Sequence, residues 1–123
     1  MNEKQFLELS DIAFNEFIAR VVFGLETYEF NGGFLYRDRT GSTPDYWFPT
    51  KIPDYKSWQG LGKGIEHANE NGFDVELRTN VNRGDKRGEA LITSVGKDGV
   101  SKQENMFLAF WISYMKALGV IGG

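Results

Sequence analysis

Apolar residues recur at helical spacing through the first stretch of the chain. Phe6, Ala13, Phe14, Phe17, Ile18 and Val21 share one face, with Glu8, Asp11 and Asn15 opposite. This spacing predicts a helix over residues 3–23, ended by Gly24. Two aromatic-rich runs follow, Thr27-Tyr28-Glu29-Phe30 and Gly33-Phe34-Leu35-Tyr36, separated by Asn31-Gly32. Asn-Gly between such runs is the strongest short hairpin signal, and two antiparallel strands are predicted. Residues 37–53 hold Gly41, Pro44, Pro49 and Pro53 and read as a loop. The loop is long for a compact domain, and loops of that length are often functional. It carries Tyr46-Trp47-Phe48, a trio suited to capping an open edge of the core.

Asp54 can cap a second helix running to about Asn71 and ended by Gly72. Its apolar stripe is Trp58, Leu61, Ile65 and Ala68, and it is narrow. Gly60, Gly62 and Gly64 weaken the helix by about 1 kcal/mol each relative to alanine. Tertiary packing must therefore hold it, or its backbone comes close to something there. Phe73-Asp74-Val75-Glu76-Leu77-Arg78 alternates strictly and predicts a half-buried strand. Residues 80–88 form a polar turn, 89–95 the returning strand and 96–99 another turn. Ser101 with Glu104 has the spacing of a capping box, opening a last helix over residues 102–118 that Gly119 ends. The order is α-β-β-α-β-β-α. It implies an α+β fold: one domain spanning residues 1–123, with an antiparallel sheet of about four strands, in two hairpins, packed with three helices.

The last helix is apolar nearly all round. Ala117, Phe110, Tyr114, Phe107, Leu118, Trp111, Met115, Leu108 and Ile112 fill an arc of roughly 240°, whereas a helix on one sheet needs little more than about 100°. Either the first helix or the aromatic loop covers the surplus, or a partner subunit does. Phe107, Trp111 and Met115 are of the kind that interfaces favour, so a homodimer or larger homo-oligomer through this helix is expected.

Composition narrows the function classes. The 123 residues are 15% aromatic, carry a net charge of −3 and include no cysteine. An acidic chain is not a general nucleic-acid binder. Without cysteine there is no disulfide scaffold, thiolate metal site or cysteine nucleophile. The charged start Met1-Asn2-Glu3-Lys4 is unlike a signal peptide, and no apolar run is long enough for a bilayer. A soluble cytoplasmic protein with no membrane partner is expected.

Catalytic signals are thin. The single histidine, His67, falls on the far side of the second helix from its stripe and reads as exposed and non-catalytic. No metal site, cofactor or nucleophile elbow is predicted, and the chain is expected not to be an enzyme. Gly60-Leu61-Gly62-Lys63-Gly64 lacks the Gly-Lys-Ser/Thr ending of a phosphate loop and lies within a helical pattern. The better candidate is Asn80-Val81-Asn82-Arg83-Gly84-Asp85-Lys86-Arg87-Gly88, which places cations and glycines at a hairpin tip. Arginine forks fit phosphate oxygens, and glycines let backbone N–H groups approach an anion. The expected start of the last helix, residues 101–104, offers further N–H groups and a positive dipole end.

These motifs resemble a family of small phage proteins with an α-β-α sandwich domain. The likeness lies in Ala13-Phe14-Asn15-Glu16-Phe17-Ile18-Ala19-Arg20-Val21-Val22-Phe23-Gly24 before an aromatic hairpin, in Trp58 near the start of the second helix, in Asn71-Gly72-Phe73 before a strand, and in the apolar stretch 106–118. The loop before the second helix usually reads Ser-Thr-Asp in that family; here it is Tyr46-Trp47-Phe48-Pro49-Thr50-Lys51-Ile52-Pro53-Asp54. Within such proteins the chain is similar to the Thoeris anti-defence sponges. The resemblance implies sequestration, without degradation, of a glycocyclic ADP-ribose signal made by host TIR-domain enzymes, with cyclic oligonucleotides as further ligands. It implies a pocket between the C-terminal helix of one subunit and a hairpin loop of another. The candidate ligand-binding residues are Asn82, Arg83, Asp85, Lys86, Arg87, Gln103, Asn105, Phe107 and Trp111. The competing readings are a phage protein that blocks a host protein by surface contact, and an enzyme that degrades a nucleotide.

Overall fold

The computed structural model describes residues 1–38, 48–79, 88–94, 97–103 and 106–122. The α+β class holds, and the contacts group the chain into two compact units, Leu9–Asp54 and a unit made of Met1–Glu8 with Tyr55–Gly123. The described residues form two three-stranded antiparallel sheets, β1-β2-β3 and β4-β5-β6, in place of the single four-stranded sheet expected.

The first amphipathic stretch is two helices, α1 (Glu3–Leu7) and α2 (Asp11–Val21). The break is a capping event. The Ser10 hydroxyl accepts a hydrogen bond from the Ala13 N–H at 3.2 Å and starts a new helix. α1 has its own capping box, with Asn2 and Gln5 exchanging bonds at 2.8 and 2.9 Å. In the unit Leu9–Asp54, α2 leads into β1 (Glu26–Phe30) and β2 (Gly33–Asp38). Asn31 and Gly32 both take positive φ, 49° and 79°, which is what a two-residue hairpin turn needs, and Phe30 pairs with Gly33 as the motif predicted. The Thr27 hydroxyl and the Arg20 guanidinium both donate to the Glu16 carboxylate, at 2.8 and 2.9 Å, tying α2 to β1. Part of the expected loop is β3 (Phe48–Lys51), paired with β2. Pro49 lies in this strand and is tolerated because an edge strand has only one neighbour to bond.

The other unit is built around its last helix. The strand predicted from alternation is β4 (Asp74–Thr79), with Val75 and Leu77 half-buried and Asp74, Glu76 and Arg78 exposed. β5 (Gly88–Ser94) pairs with it, and β6 (Lys97–Gln103) pairs with β5. β6 replaces the turn and helix start expected there. Ser101 caps no helix; it is buried opposite Ala90, and its hydroxyl accepts a hydrogen bond from the Gln103 amide at 2.8 Å. The last helix, α4, begins later, at Met106, and runs to Ala117.

α4 lies on β5 and β6, and the Ser113 hydroxyl donates to the Ala90 carbonyl at 2.8 Å. The fit depends on Gly99: a Cβ there would collide with the Ser113 carbonyl and sit 2.9 Å from the Ala117 nitrogen. α3 (Trp58–Glu70) runs alongside α4 in the same direction, since Trp58 meets Phe107, Gly64 meets Phe110 and Trp111, and His67 meets Tyr114. The glycines inside α3 are thereby explained at one point. A Cβ at Gly64 would lie 2.7 Å from the Trp111 ring, so backbone does come close to something there. α1 is tied to the far end of α4 by a Glu3–Lys116 ion pair at 3.0 Å and a parallel bridge between Asn2 and Gly122.

Every residue from Ala109 to Met115 is 0% exposed within the single chain. Over this stretch the apolar arc is covered within the single chain, whereas Phe107 and Leu108 are half-buried and Leu118 is exposed.

Candidate functional site

One end of the β4-β5-β6 sheet gathers several of the predicted elements. Thr79 ends β4 opposite Gly88, which starts β5, and Gly88 also pairs with Gln103 at the end of β6. Residues 80–87 join Thr79 to Gly88, so the basic segment is attached at this end. α4 begins at Met106, three positions after Gln103. Because α3 runs parallel to α4, its first turn comes to the same place. The last residue of β4, the first of β5 and the start of α4 thus lie toward one end of the sheet.

The surface they form is aromatic. α3 starts where the Ser57 hydroxyl accepts from the Gly60 N–H at 3.1 Å, not at Asp54 as expected. The later start puts Trp58 in the first helical position, 74% exposed. Its ring stands edge-on to Phe107, with centroids 5.2 Å apart and planes at 78°. Phe107 is half-buried beneath it. Trp58 was read as part of the buried stripe. The buried positions of α3 are instead Gly60, Leu61, Gly64 and Ala68, which turn the small residues toward α4. Ser57, as good a capping residue as Asp54 three positions earlier, was the sequence signal that would have moved Trp58 off the core face.

The other predicted site residues divide clearly. Gln103 is half-buried at the sheet end. Asn82, Arg83, Asp85, Lys86, Arg87 and Asn105 lie outside the described residues. Trp111 cannot touch a ligand as expected: it is 0% exposed, its indole N–H donates to the Tyr55 carbonyl at 2.8 Å, and Tyr55 packs edge-on against it at 5.5 Å. Its role is in the core.

His67 is half-buried, not exposed as the helical wheel implied, and its Nδ1 lies 2.6 Å from the Tyr114 hydroxyl. Burial pushes the Tyr114 phenol up to about 12, so it stays protonated and donates to the imidazole. The Asn71 amide nitrogen, 3.4 Å from the same Nδ1, is also a donor. Among the described residues no cluster of three or more His, Asp or Glu is placed to hold a metal ion, and no helix is long and apolar enough to cross a membrane. The sheet end offers an exposed aromatic plane at Trp58, suited to stacking on a planar ligand.

No protein-family model and no curated protein matches the sequence. Among solved structures the fold is similar to the crystal structure of a phage protein from Bacillus cereus ATCC 14579, at a TM-score of 0.54 and 16% identity, covering 92% of this chain and 93% of that one. At that identity the likeness establishes the fold, and the fold is one that a phage protein adopts.

Proposed function

We propose that this chain is a phage-type binding protein that sequesters a cyclic ADP-ribose-type nucleotide made by host TIR-domain immunity enzymes, and releases it chemically unchanged. The observation that carries the reading is Trp58: a tryptophan 74% exposed, propped edge-on by Phe107, at the sheet end from which the basic segment departs. An exposed indole offers a planar apolar face on which a base can stack. A purine stacked on such a ring gains roughly 1–3 kcal/mol. Each charge-assisted hydrogen bond from Arg83, Lys86 or Arg87 to the pyrophosphate adds about 1.5–3 kcal/mol. A stack with two such bonds sums to about 4–9 kcal/mol, which reaches micromolar affinity at its upper end. Tight binding at stoichiometric protein lowers the free signal, which is all a sponge must do.

The binding unit in this reading is one chain, because Trp58, Phe107, Gln103 and both ends of the basic segment belong to the same sheet end. The test is incubation with glycocyclic ADP-ribose, removal of unbound ligand, heat denaturation and chromatography of what is released. Intact nucleotide supports the proposal. A degradation product indicates an enzyme. No nucleotide retained sinks the proposal and favours contact with a host protein.

A further inference from the structure

The unit Leu9–Asp54 holds a cavity of about 470 Å³ that has no part in the nucleotide reading. Its walls are Ile12 of α2, Phe30 of β1, Phe34 and Leu35 of β2, and Ile52, which follows β3. Asn15, Asn31 and Lys51 supply the polar atoms, and Lys51 is the one charged side chain among the lining residues. The cavity opens at the hairpin end of the sheet, beside the Asn31-Gly32 turn. That is the opposite end of the β2–β3 pair from Asp38 and Phe48.

Three features make this a site and not an accident of packing. The volume falls within the range of about 300–1,000 Å³ usual for small-molecule pockets. Two large apolar side chains at it stay in contact with water, Ile12 at 52% exposed and Phe30 at 56%. Apolar residues left exposed around a concavity mark binding sites more often than isolated ones do. The lining is apolar apart from two carboxamides and a single cation, which is how pockets that fix the orientation of an amphipathic ligand are built. Lys51 is exposed at the rim of this lining.

We propose that this cavity binds a small amphipathic monoanion, with an aromatic or medium-chain apolar body against Ile12, Phe34 and Ile52 and its carboxylate or sulfonate facing Lys51. One cation with apolar walls selects against a pyrophosphate, which needs several cations, so this ligand class differs from the nucleotide proposed above. The site does not depend on that reading.

The probes are decanoate and decyltrimethylammonium, which share a chain length and differ in charge. Each is titrated into the ¹⁵N-labelled full chain below its micelle concentration, with amide shifts recorded by NMR. Decanoate is expected to give saturable shifts at Ile12, Asn31, Phe34, Lys51 and Ile52, and to bind about tenfold or more tighter than the cation. Lys51→Glu, at an exposed position, keeps the fold and is expected to abolish that preference. Absence of saturable shifts, shifts centred on Trp58 instead, or equal binding of both probes to the wild type would overturn the proposal. So would an anion preference unchanged in Lys51→Glu. The nucleotide assay reads a different unit, so failure of one proposal is distinguishable from failure of the other.

Discussion

Gly99→Ala replaces a hydrogen with a methyl group where β6 passes under α4. The new Cβ would meet the Ser113 carbonyl oxygen, its carbon at 2.8 Å and the Ala117 nitrogen at 2.9 Å. All three are backbone, so no side-chain rotation relieves the contact. The helix has to withdraw by roughly an ångström or more to reach ordinary van der Waals separation. Overpacking of this kind costs about 1–3 kcal/mol. Withdrawal also stretches the buried Ser113–Ala90 hydrogen bond of 2.8 Å, and a buried polar pair left unmade costs about 1–3 kcal/mol more. Alanine returns about 0.4–1 kcal/mol by restricting the unfolded chain. The net loss is at least about 1 kcal/mol, and mid-range values give about 3 kcal/mol, at about 3–6 °C of melting temperature per kcal/mol for a chain of this length. Thermal unfolding followed by far-ultraviolet circular dichroism reads it directly. Gly62→Ala is the matched control. It is the same chemical change in the exposed part of α3, with nothing within 4 Å of the added carbon. It is expected to raise stability by up to about 1 kcal/mol. If Gly99→Ala melts with the wild type, or if both variants shift in the same direction, the packing of α4 on β6 is not as described.

Trp58→Ala is expected to weaken nucleotide binding about ten- to a hundredfold in calorimetric titration while leaving the melting curve nearly unchanged, because the ring is mostly exposed; a melting loss equal to that of a core truncation would make Trp58 structural. Arg83→Ala and Arg87→Ala are each expected to weaken the same binding by about tenfold or more, with a salt dependence that flattens accordingly. Trp111→Phe removes the donor to the Tyr55 carbonyl and leaves a small void, so a loss of about 2–3 kcal/mol is expected in urea unfolding, with light scattering showing no change of oligomeric state. Because the folded-state phenol of Tyr114 is raised to about 12 from an ordinary value of 10, its neutral form contributes stability that is present below pH 10 and is lost between pH 10 and pH 12. Tyr114→Phe should flatten the stability profile across that window while costing stability at neutral pH through the lost bond to His67; an unchanged alkaline slope would show that the phenol is not buried as described.

Much of the architecture was legible in the chain, and the errors have identifiable causes. The Asn31-Gly32 turn, the alternation of β4 and the helix stops at Gly24, Gly72 and Gly119 are local signals, fixed by backbone conformation at a few residues, and each was realised. β3 and β6 were missed because their local sequence argues against them. Pro49 is a strand breaker except at an edge, and Lys97-Asp98-Gly99 reads as a turn until its pairing with β5 is known. Pairing is a non-local term that no window along the chain contains. The breadth of α4's apolar arc was read correctly as a demand for burial on more than one side. Its satisfaction by α3, Tyr55 and the N-terminal segment was not legible, because that requires knowing that α3 turns its glycines toward the aromatic rings. The site was half legible for the same reason. Cation and glycine content singled out 80–87, whereas the exposure of Trp58 followed from a helix start displaced to Ser57.

The unit that contains α4 is assembled from two separate stretches of chain, Met1–Glu8 and Tyr55–Gly123, with Leu9–Asp54 between them. Synthesis runs from the N-terminus, so the first of these stretches leaves the ribosome long before the surface it packs on exists. A helix of five residues does not persist in water by itself, and Phe6, which ends 1% exposed, has nowhere to go. The bonds that hold this stretch, Glu3 to Lys116 and Asn2 to Gly122, reach across the whole second stretch. Closing α1 onto this unit is therefore a contact of long sequence separation, of the kind expected to form late in folding.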